Sequence, residues 1–415
     1  MKKYIFLLLL ISVISIITIL ALKKNSLYKC KDSIGCVTIG PGQPVTFAVI
    51  QALTGKVAFL GYEQIRGIEL AVLHRKGQIL SHPIKLQKEN SFCTYEGGTV
   101  AALKAAADPN IAAVFGTTCS GAAIIAAKII SEAGMVMISG NNSAPSLTSS
   151  SGNQGSDWYP GYFRTSFNDD LSGKAAAIFA FNHLNIKKAA LINDGDVYTK
   201  GLTQGFGYTF EQLGGNIVLD TSINKGDENM IPVLEAAAAS GAELLFFPLF
   251  QPEGDYMVHQ SKNVSGFENI TLMGNGALLT STFINSVKSK GTGMYFVGPG
   301  LSSEPDYKYL EAEYKKIYQE NPPTNYYTYA YDAANLLFNA VSAVAETEKD
   351  GTLHIPRAKL REAMYATKNM QGVSGILNCD QFGDCGSARF NIMRLDNPEL
   401  GIEGLKSNII YTFIP

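Results

Sequence analysis

Residues 114–123 read VFGTTCSGAA. An apolar run, IAAVFG at 111–116, ends in a small polar turn, and GAAIIAAKIISEAG at 121–134 follows with the spacing of a buried helix. A short continuous apolar strand, a turn and an amphipathic helix form the repeating unit of a parallel sheet covered on both faces. The same unit recurs on either side. VTFAVI (45–50) leads to YEQIRGIELAVLHRKG (62–77), and PIKLQKE (83–89) to EGGTVAALKAAADP (96–109). Beyond a polar loop at 140–160, KKAALIND (187–194), NIVLDTSI (216–223), ELLFFPLF (243–250), NITLMGNG (269–276) and GMYFVG (293–298) continue the alternation. One open sheet seldom takes so many strands. The pattern therefore predicts an α/β protein with two doubly wound parallel-sheet lobes.

In open α/β sheets, ligands sit outside the carboxyl ends of the strands, where turns enter helix N-termini. Five polar turns hold such positions: GTTCSG (116–121), ISGNNSAPS (138–146), INDGDVYTKG (192–201), LFQPEGD (249–255) and LMGNGALLT (272–280). The first lacks the pattern of a nucleophile elbow, because Thr118 stands two places before Ser120, and no histidine completes a triad order. It also lacks the lysine of a phosphate loop, and no GxGxxG suits a dinucleotide. Free backbone N–H groups and a serine hydroxyl at a helix N-terminus remain, a cradle for a carboxylate. The plainer role is a serine that closes its own helix.

Composition bounds the rest. Charged residues make up 17% of 415 and the net charge is −2, so a nucleic-acid footprint is not expected. The start, MKK followed by YIFLLLLISVISIITILAL and then KK, reads as an export signal or a retained membrane anchor over 1–24. Either places the remainder outside the cytoplasm, in the periplasm or on the outer face of the membrane. Six cysteines fall in local groups: Cys30 with Cys36, Cys93 with Cys119, and Cys379 with Cys385. An even set in an exported chain reads as disulfides, although six cysteines allow fifteen pairings. The five histidines are scattered, which argues against zinc. No metal, cofactor or catalytic role is expected. NDGD at 193–196 reads as a strand-end turn, not a calcium loop. Tyr326, Tyr327, Tyr329 and Tyr331 enter a helix and are expected to pack and to touch the hinge, with pocket lining as the alternative.

Taken in order, FAVIQALTGKVAFLGYEQIRGIELAV, VFGTTCSGAAIIAAKIISEAGMVMISGNNSAPSLT, GYFRTSFNDDLSGKAAA, KKAALINDGDVYTKGL and YAYDAANLL resemble a known family. The chain is similar, over roughly 36–395, to the extracytoplasmic solute-binding proteins of branched-chain amino-acid ABC transporters. The resemblance implies two lobes, a ligand cleft and three hinge crossings, near Arg164, Val297 and Gly372. The lobes would be 37–163 plus 298–371, and 164–297 plus 372–415. It also implies a Cys93–Cys119 bridge and a carboxylate contact from Ser120, with backbone N–H groups from Gly121 and Ala122. Asn141 and Ser143 fall on the adjoining contact loop, and Tyr198 on a tyrosine of the far lobe.

Three positions depart from the family. Where it often carries an acid for the ligand's ammonium group, this chain has Gly276, with Asn275, Glu253 or Asp255 as possible substitutes. Phe250 stands for an aromatic with a hydroxyl, and Leu60, beside Phe59, stands for a wall tyrosine. A buried ammonium without a counter-charge costs several kcal/mol. The expected function is capture of a small carboxylate-bearing solute, an aliphatic amino acid first, by a monomer that delivers it to a membrane permease. An amide or aromatic acid is the alternative ligand, and a sensory domain the alternative role. With nothing after Pro415 resembling a signalling segment, transport is the expectation.

Overall fold

A computed structural model of the chain describes residues 29–300 and 305–415. The expected signal or anchor at 1–24 lies outside them. Among the described residues, no helix is long and apolar enough to cross a membrane.

The first sheet contains β1 (Val45–Gln51), β2 (His82–Asn90), β3 (Ile111–Gly116), β4 (Met137–Ser139) and β5 (Tyr162–Arg164). Their spatial order is β2-β1-β3-β4-β5, all parallel, with Gln78–Ile79 antiparallel at the β2 edge. The second sheet contains β6 (Lys188–Asn193), β7 (Asn216–Ser222), β8 (Leu244–Phe246), β9 (Thr271–Asn275), β10 (Tyr295–Pro299), β11 (Phe390–Arg394) and β12 (Ile409–Phe413). Its order is β7-β6-β8-β9-β10-β11-β12; the first five are parallel, β11 runs antiparallel to β10, and β12 antiparallel to β11. Each lobe thus reverses strand order once, between β1 and β3 and between β6 and β8, and those points open a crevice at the strands' carboxyl ends.

Burial explains the strand composition. Every residue of β1 and of β3 is buried, which is why both read as continuous apolar runs. Phe47, Phe115 and Phe338 form an aromatic triangle between the first sheet and helix Tyr326–Val344, with centroids 5.2–5.8 Å apart. The second lobe is filled on one face by Phe179, Phe206, Phe210 and Phe246.

The chain passes between the lobes three times. The first passage follows β5, where helix Asp169–Asn182 packs into the second lobe. The second, expected near Val297, comes after Pro299, because Val297 is still inside β10. Tyr307, Leu310 and Tyr314 of helix Pro305–Tyr318 then pack on Leu70 of helix Ala58–His74. The third was expected near Gly372. It comes instead between Cys385 and Phe390, because Leu377, Cys379 and Cys385 are buried in the first-lobe core and Phe390 in the second. Residues 372–385, expected in the second lobe, therefore pack with the first.

Two of these strands are cross-linked. Arg164 donates its N–H to the Gly383 carbonyl, and Cys385 donates to the Arg164 carbonyl, each at 2.9 Å. The Arg164 guanidinium is wholly buried, pairs with Asp384, and donates to the Ala144 carbonyl at 2.7 Å and to Thr148 Oγ1. Asp384 also accepts from Thr148 Oγ1 and Ser149 Oγ, both at 3.0 Å, and from Asn168 Nδ2 at 3.2 Å. Burial acts to raise the Asp384 carboxyl, but the Arg164 charge and these donors hold it below its ordinary value.

The cysteines close three bridges, Cys30–Cys36, Cys93–Cys119 and Cys379–Cys385. The first small loop presents Asp32, whose carboxylate accepts from Ala358 N (2.9 Å) and Lys359 N (3.2 Å) and so caps helix Arg357–Tyr365. The last brackets Asp384.

Asp384→Asn leaves the Arg164 charge buried without its partner. Denaturant unfolding of that variant should show a loss of roughly 3–5 kcal/mol. A loss under about 1 kcal/mol would mean that the pair does not hold the hinge strands.

Candidate functional site

The rim of the first lobe is built around β3. Gly116 closes that strand at φ +149, and a Cβ there would come within 2.3 Å of the Ile50 carbonyl oxygen, so only glycine lets β1 and β3 approach so closely. Thr118 Oγ1 accepts from Ala52 N at 2.8 Å and donates to Gln51 Oε1 at 2.7 Å, tying the turn after β3 to the end of β1. Ser139 Oγ accepts from Asn141 N (3.0 Å) and Asn142 N (2.9 Å) and donates to the Thr117 carbonyl (3.1 Å). Asn141 Nδ2 donates to the Thr118 carbonyl at 2.7 Å. The Cys93–Cys119 bridge fastens the same turn to the loop after β2.

Cys119 is the N-cap of helix Ser120–Glu132, which puts Ser120 at its first position. Ser120 Oγ accepts from Ala144 N at 3.3 Å, so its hydroxyl proton remains available to a further acceptor. The expected role of the Ala122 N–H needs correction: it donates to the Cys119 carbonyl at 3.1 Å, in the tight first turn of the helix. The Ser120 and Gly121 N–H groups, which precede any intrahelical acceptor, are the ones left for a ligand.

The rim of the second lobe faces this one. Asp196 caps helix Val197–Gln212 by accepting from Tyr198 N at 3.0 Å, and so fixes Tyr198 on the first turn. The Tyr198 hydroxyl accepts from Asn275 Nδ2 at 2.7 Å, and its ring lies 5.2 Å from that of Phe250. Asn275 Nδ2 also donates to the Pro248 carbonyl at 3.3 Å, which sets the amide's orientation.

Between the rims lies one cavity lined by Leu60, Thr118, Cys119, Ser120, Asn141, Tyr198, Phe250, Ala277 and Tyr326. Leu60 follows β1, Ser120 follows β3, Tyr198 follows β6 and Phe250 follows β8, so both switch points converge on it. The lobes are nearly shut, leaving about 20 Å³ open to the centre of a water molecule. A larger hollow, about 330 Å³, lies behind the first lobe beside His74, Tyr309 and Tyr331, but no switch-point residue reaches it.

Of the expected residues, Leu60, Ser120, Asn141, Tyr198 and Phe250 line the cavity; Ser143, Gly121, Ala122 and Asn275 do not. Tyr326, read as packing, lines it. A Cβ at Gly276 would lie 3.6 Å from the Tyr326 hydroxyl and 3.5 Å from Pro299 Cδ, in ordinary contact, so that phenol occupies the ground an acid at 276 would approach. The two substitutes from the neighbouring turn are engaged elsewhere. Asp255 accepts from Gln251 Nε2 at 3.0 Å, and Glu253 accepts from Gly226 N at 2.7 Å.

One acid that acts on two tyrosines of the cavity wall is not among those the sequence singled out. Asp169 opens helix Asp169–Asn182, is 1% exposed, and donates its N–H to the Ser143 carbonyl at 2.9 Å. Burial pushes its carboxyl up to about 7; the Ser143 hydroxyl, from outside hydrogen-bond geometry, and the Arg164 charge temper the rise. Burial, followed by the neighbouring Tyr326 phenol and the Asp169 carboxyl, raises the Tyr198 phenol; burial, followed by Asp169, raises that of Tyr326. Both tyrosines are therefore neutral donors. Asp169 Oδ2, Ser143 Oγ and Asn275 Oδ1 are buried without a hydrogen-bond partner among the described residues.

Tyr326 is held from behind. Glu63, fully buried in helix Ala58–His74, accepts from Thr324 Oγ1 at 2.6 Å and Tyr327 N at 3.2 Å. Desolvation raises its carboxyl from 4.5 to about 7. The folded protein thus keeps this proton where the unfolded chain releases it. The stabilisation present below 4.5 is lost as pH rises through about 7, on the order of 3 kcal/mol. Urea melts of Glu63→Gln at about pH 5 and pH 8 should show a shallower loss than the parent protein. An unchanged pH slope would mean that Glu63 ionises normally.

Residues 44–396 match the periplasmic binding protein family. The Leu/Ile/Val-binding protein BraC3 of Rhizobium johnstonii is 26% identical over 355 residues, 84% of this chain and 91% of that protein. A leucine-binding protein of Thermotoga maritima superposes with a TM-score of 0.75 at 23% identity, over 85% of this chain and 96% of that one. An ABC-transporter solute-binding protein of R. palustris in complex with benzoate gives 0.71 at 21% identity, over 85% and 93%. The last two likenesses show the fold.

Proposed function

This chain belongs to the periplasmic binding protein family, and on that premise we propose that it captures a small aliphatic amino acid between its lobes and hands it to the permease of an ABC transporter. Its work is capture and delivery, outside the cytoplasm, without chemistry on the solute. The ligand carboxylate meets the hydroxyl and N–H of Ser120, the first residue of helix Ser120–Glu132, where the helix dipole favours negative charge. The side chain packs on Leu60, Phe250 and Ala277.

One observation carries the choice of an amino acid over a plain acid. Two buried acceptors outside the cavity lining, Asp169 Oδ2 and Asn275 Oδ1, have no partner within hydrogen-bond geometry among the described residues, the Ser143 hydroxyl being the neighbour that acts on the first. Each such group costs about 1–3 kcal/mol while unmet. An ammonium group brings three N–H donors, whereas a benzoate or a deaminated acid brings none. Asp169 thus takes the part expected of an acid at position 276.

The second reading, an aromatic acid, is favoured by the absence of any charged residue among those lining the cavity, together with three ring walls: Tyr198, Phe250 and Tyr326. The benzoate-bound R. palustris relative supports it as a class.

A thermal-shift panel separates the two. Leucine, isoleucine or valine at a hundred times its Kd should add about 2.7 kcal/mol of stability, and the deaminated acids should add none. Asp169→Asn should weaken amino-acid binding roughly 10- to 100-fold. Affinity in the parent protein should rise with pH and level off above about 7, because only ionised Asp169 pairs with an ammonium. A shift by benzoate or 4-hydroxybenzoate alone, indifferent to Asp169→Asn, would establish the second reading instead.

A further inference from the structure

Asp196 holds two positions at once. Its Oδ1 caps helix Val197–Gln212 in the second lobe by accepting from Tyr198 N. Its Oδ2 reaches across to the first lobe, 3.0 Å from the point where a Cβ on Gly121 would stand. Gly121 is the second residue of helix Ser120–Glu132, thirteen residues long, where unmet N–H groups and the macrodipole favour a negative charge. Lys225 lies on the outer side of the same carboxylate, with Nζ 3.5 Å from Asp196 Oδ2 and 5.8 Å from the centre of the Phe250 ring.

We propose that Asp196 is an affinity-determining latch: its carboxylate, carried by the second lobe, docks on the N-terminal turn of helix Ser120–Glu132 only when the lobes close. It touches no solute. It stabilises the closed form and, by linkage, tightens binding of any ligand that prefers that form. Gly121 is part of the device, since the three atoms nearest to a methyl group there all belong to the Asp196 carboxylate. Lys225 keeps the carboxylate paired while the cleft is open, so opening does not leave the charge alone.

The proposal rests on capture by lobe closure and not on the identity of the solute, so the test is run without solute. Nitroxide labels are placed at Leu103→Cys and Tyr208→Cys, one exposed helix position on each lobe (54% and 64% exposed). Electron–electron distances then report the closed fraction of the full exported chain, its native disulfides intact. Asp196→Asn is the decisive variant, because asparagine caps a helix as well as aspartate does and only the charge is lost. The closed-to-open ratio should fall about two- to fivefold in Asp196→Asn. It should fall similarly in Gly121→Ala, and in the parent protein on raising NaCl to about 1 M. The melting temperature of Asp196→Asn should fall by about 2 °C at most, the amount that a two- to fivefold loss of the closed form entails, which separates a latch from a general loss of structure. A parent protein without a closed population, or a ratio unchanged in both variants, would overturn the proposal.

Discussion

Two strands that change lobes side by side must be held in one register, or the rims they connect will not meet. Here the Arg164–Asp384 pair sets that register. A guanidinium taken wholly out of water is costly, and the cost is met only because its N–H groups find a carboxylate, a carbonyl and a hydroxyl. The same donors and acceptors reach forward: Ala144, which receives one of these bonds, gives its own N–H to Ser120. The hinge therefore positions the ligand turn directly. Arg164 sits at the first passage, Asp384 at the third, and Ser120 one hydrogen bond further on.

Much of this was legible in the sequence because it rests on periodicity. Continuous apolar strands such as those of β1 and β3 signal sheets covered on both faces, and the turns that follow them are where an open sheet binds. Ser120 could be named from its strand-end turn, whereas Leu60, Tyr198 and Phe250 were placed by the family resemblance; all four line the cavity. The local grouping of the cysteines also matches their pairing.

Other features left no local trace. Asp169 looks like any acid in the first turn of a helix; only burial beside Ser143 and the two tyrosines distinguishes it. Tyr326 shares its alternating pattern with tyrosines that are packing residues, and its place at the cavity comes from Glu63, far away in sequence, gripping Thr324 and Tyr327 on either side of it. The third passage was misplaced for a related reason. The resemblance put it near Gly372, yet the Cys379–Cys385 disulfide is buried in the first-lobe core, and that burial keeps residues 372–385 there.

The first small disulfide loop bears on mechanics. Cys30–Cys36 holds Asp32 on the helix Arg357–Tyr365, and the strand Cys36–Ile39 pairs with Leu353–Pro356 just before that helix. The chain thus enters the molecule through the first lobe and is stapled to it at two places. A pull applied at residue 29 runs into that lobe's helix and strand without crossing any of the three hinge strands. The first lobe can be held still while the second swings, and the opening motion then carries only the inertia and drag of one half.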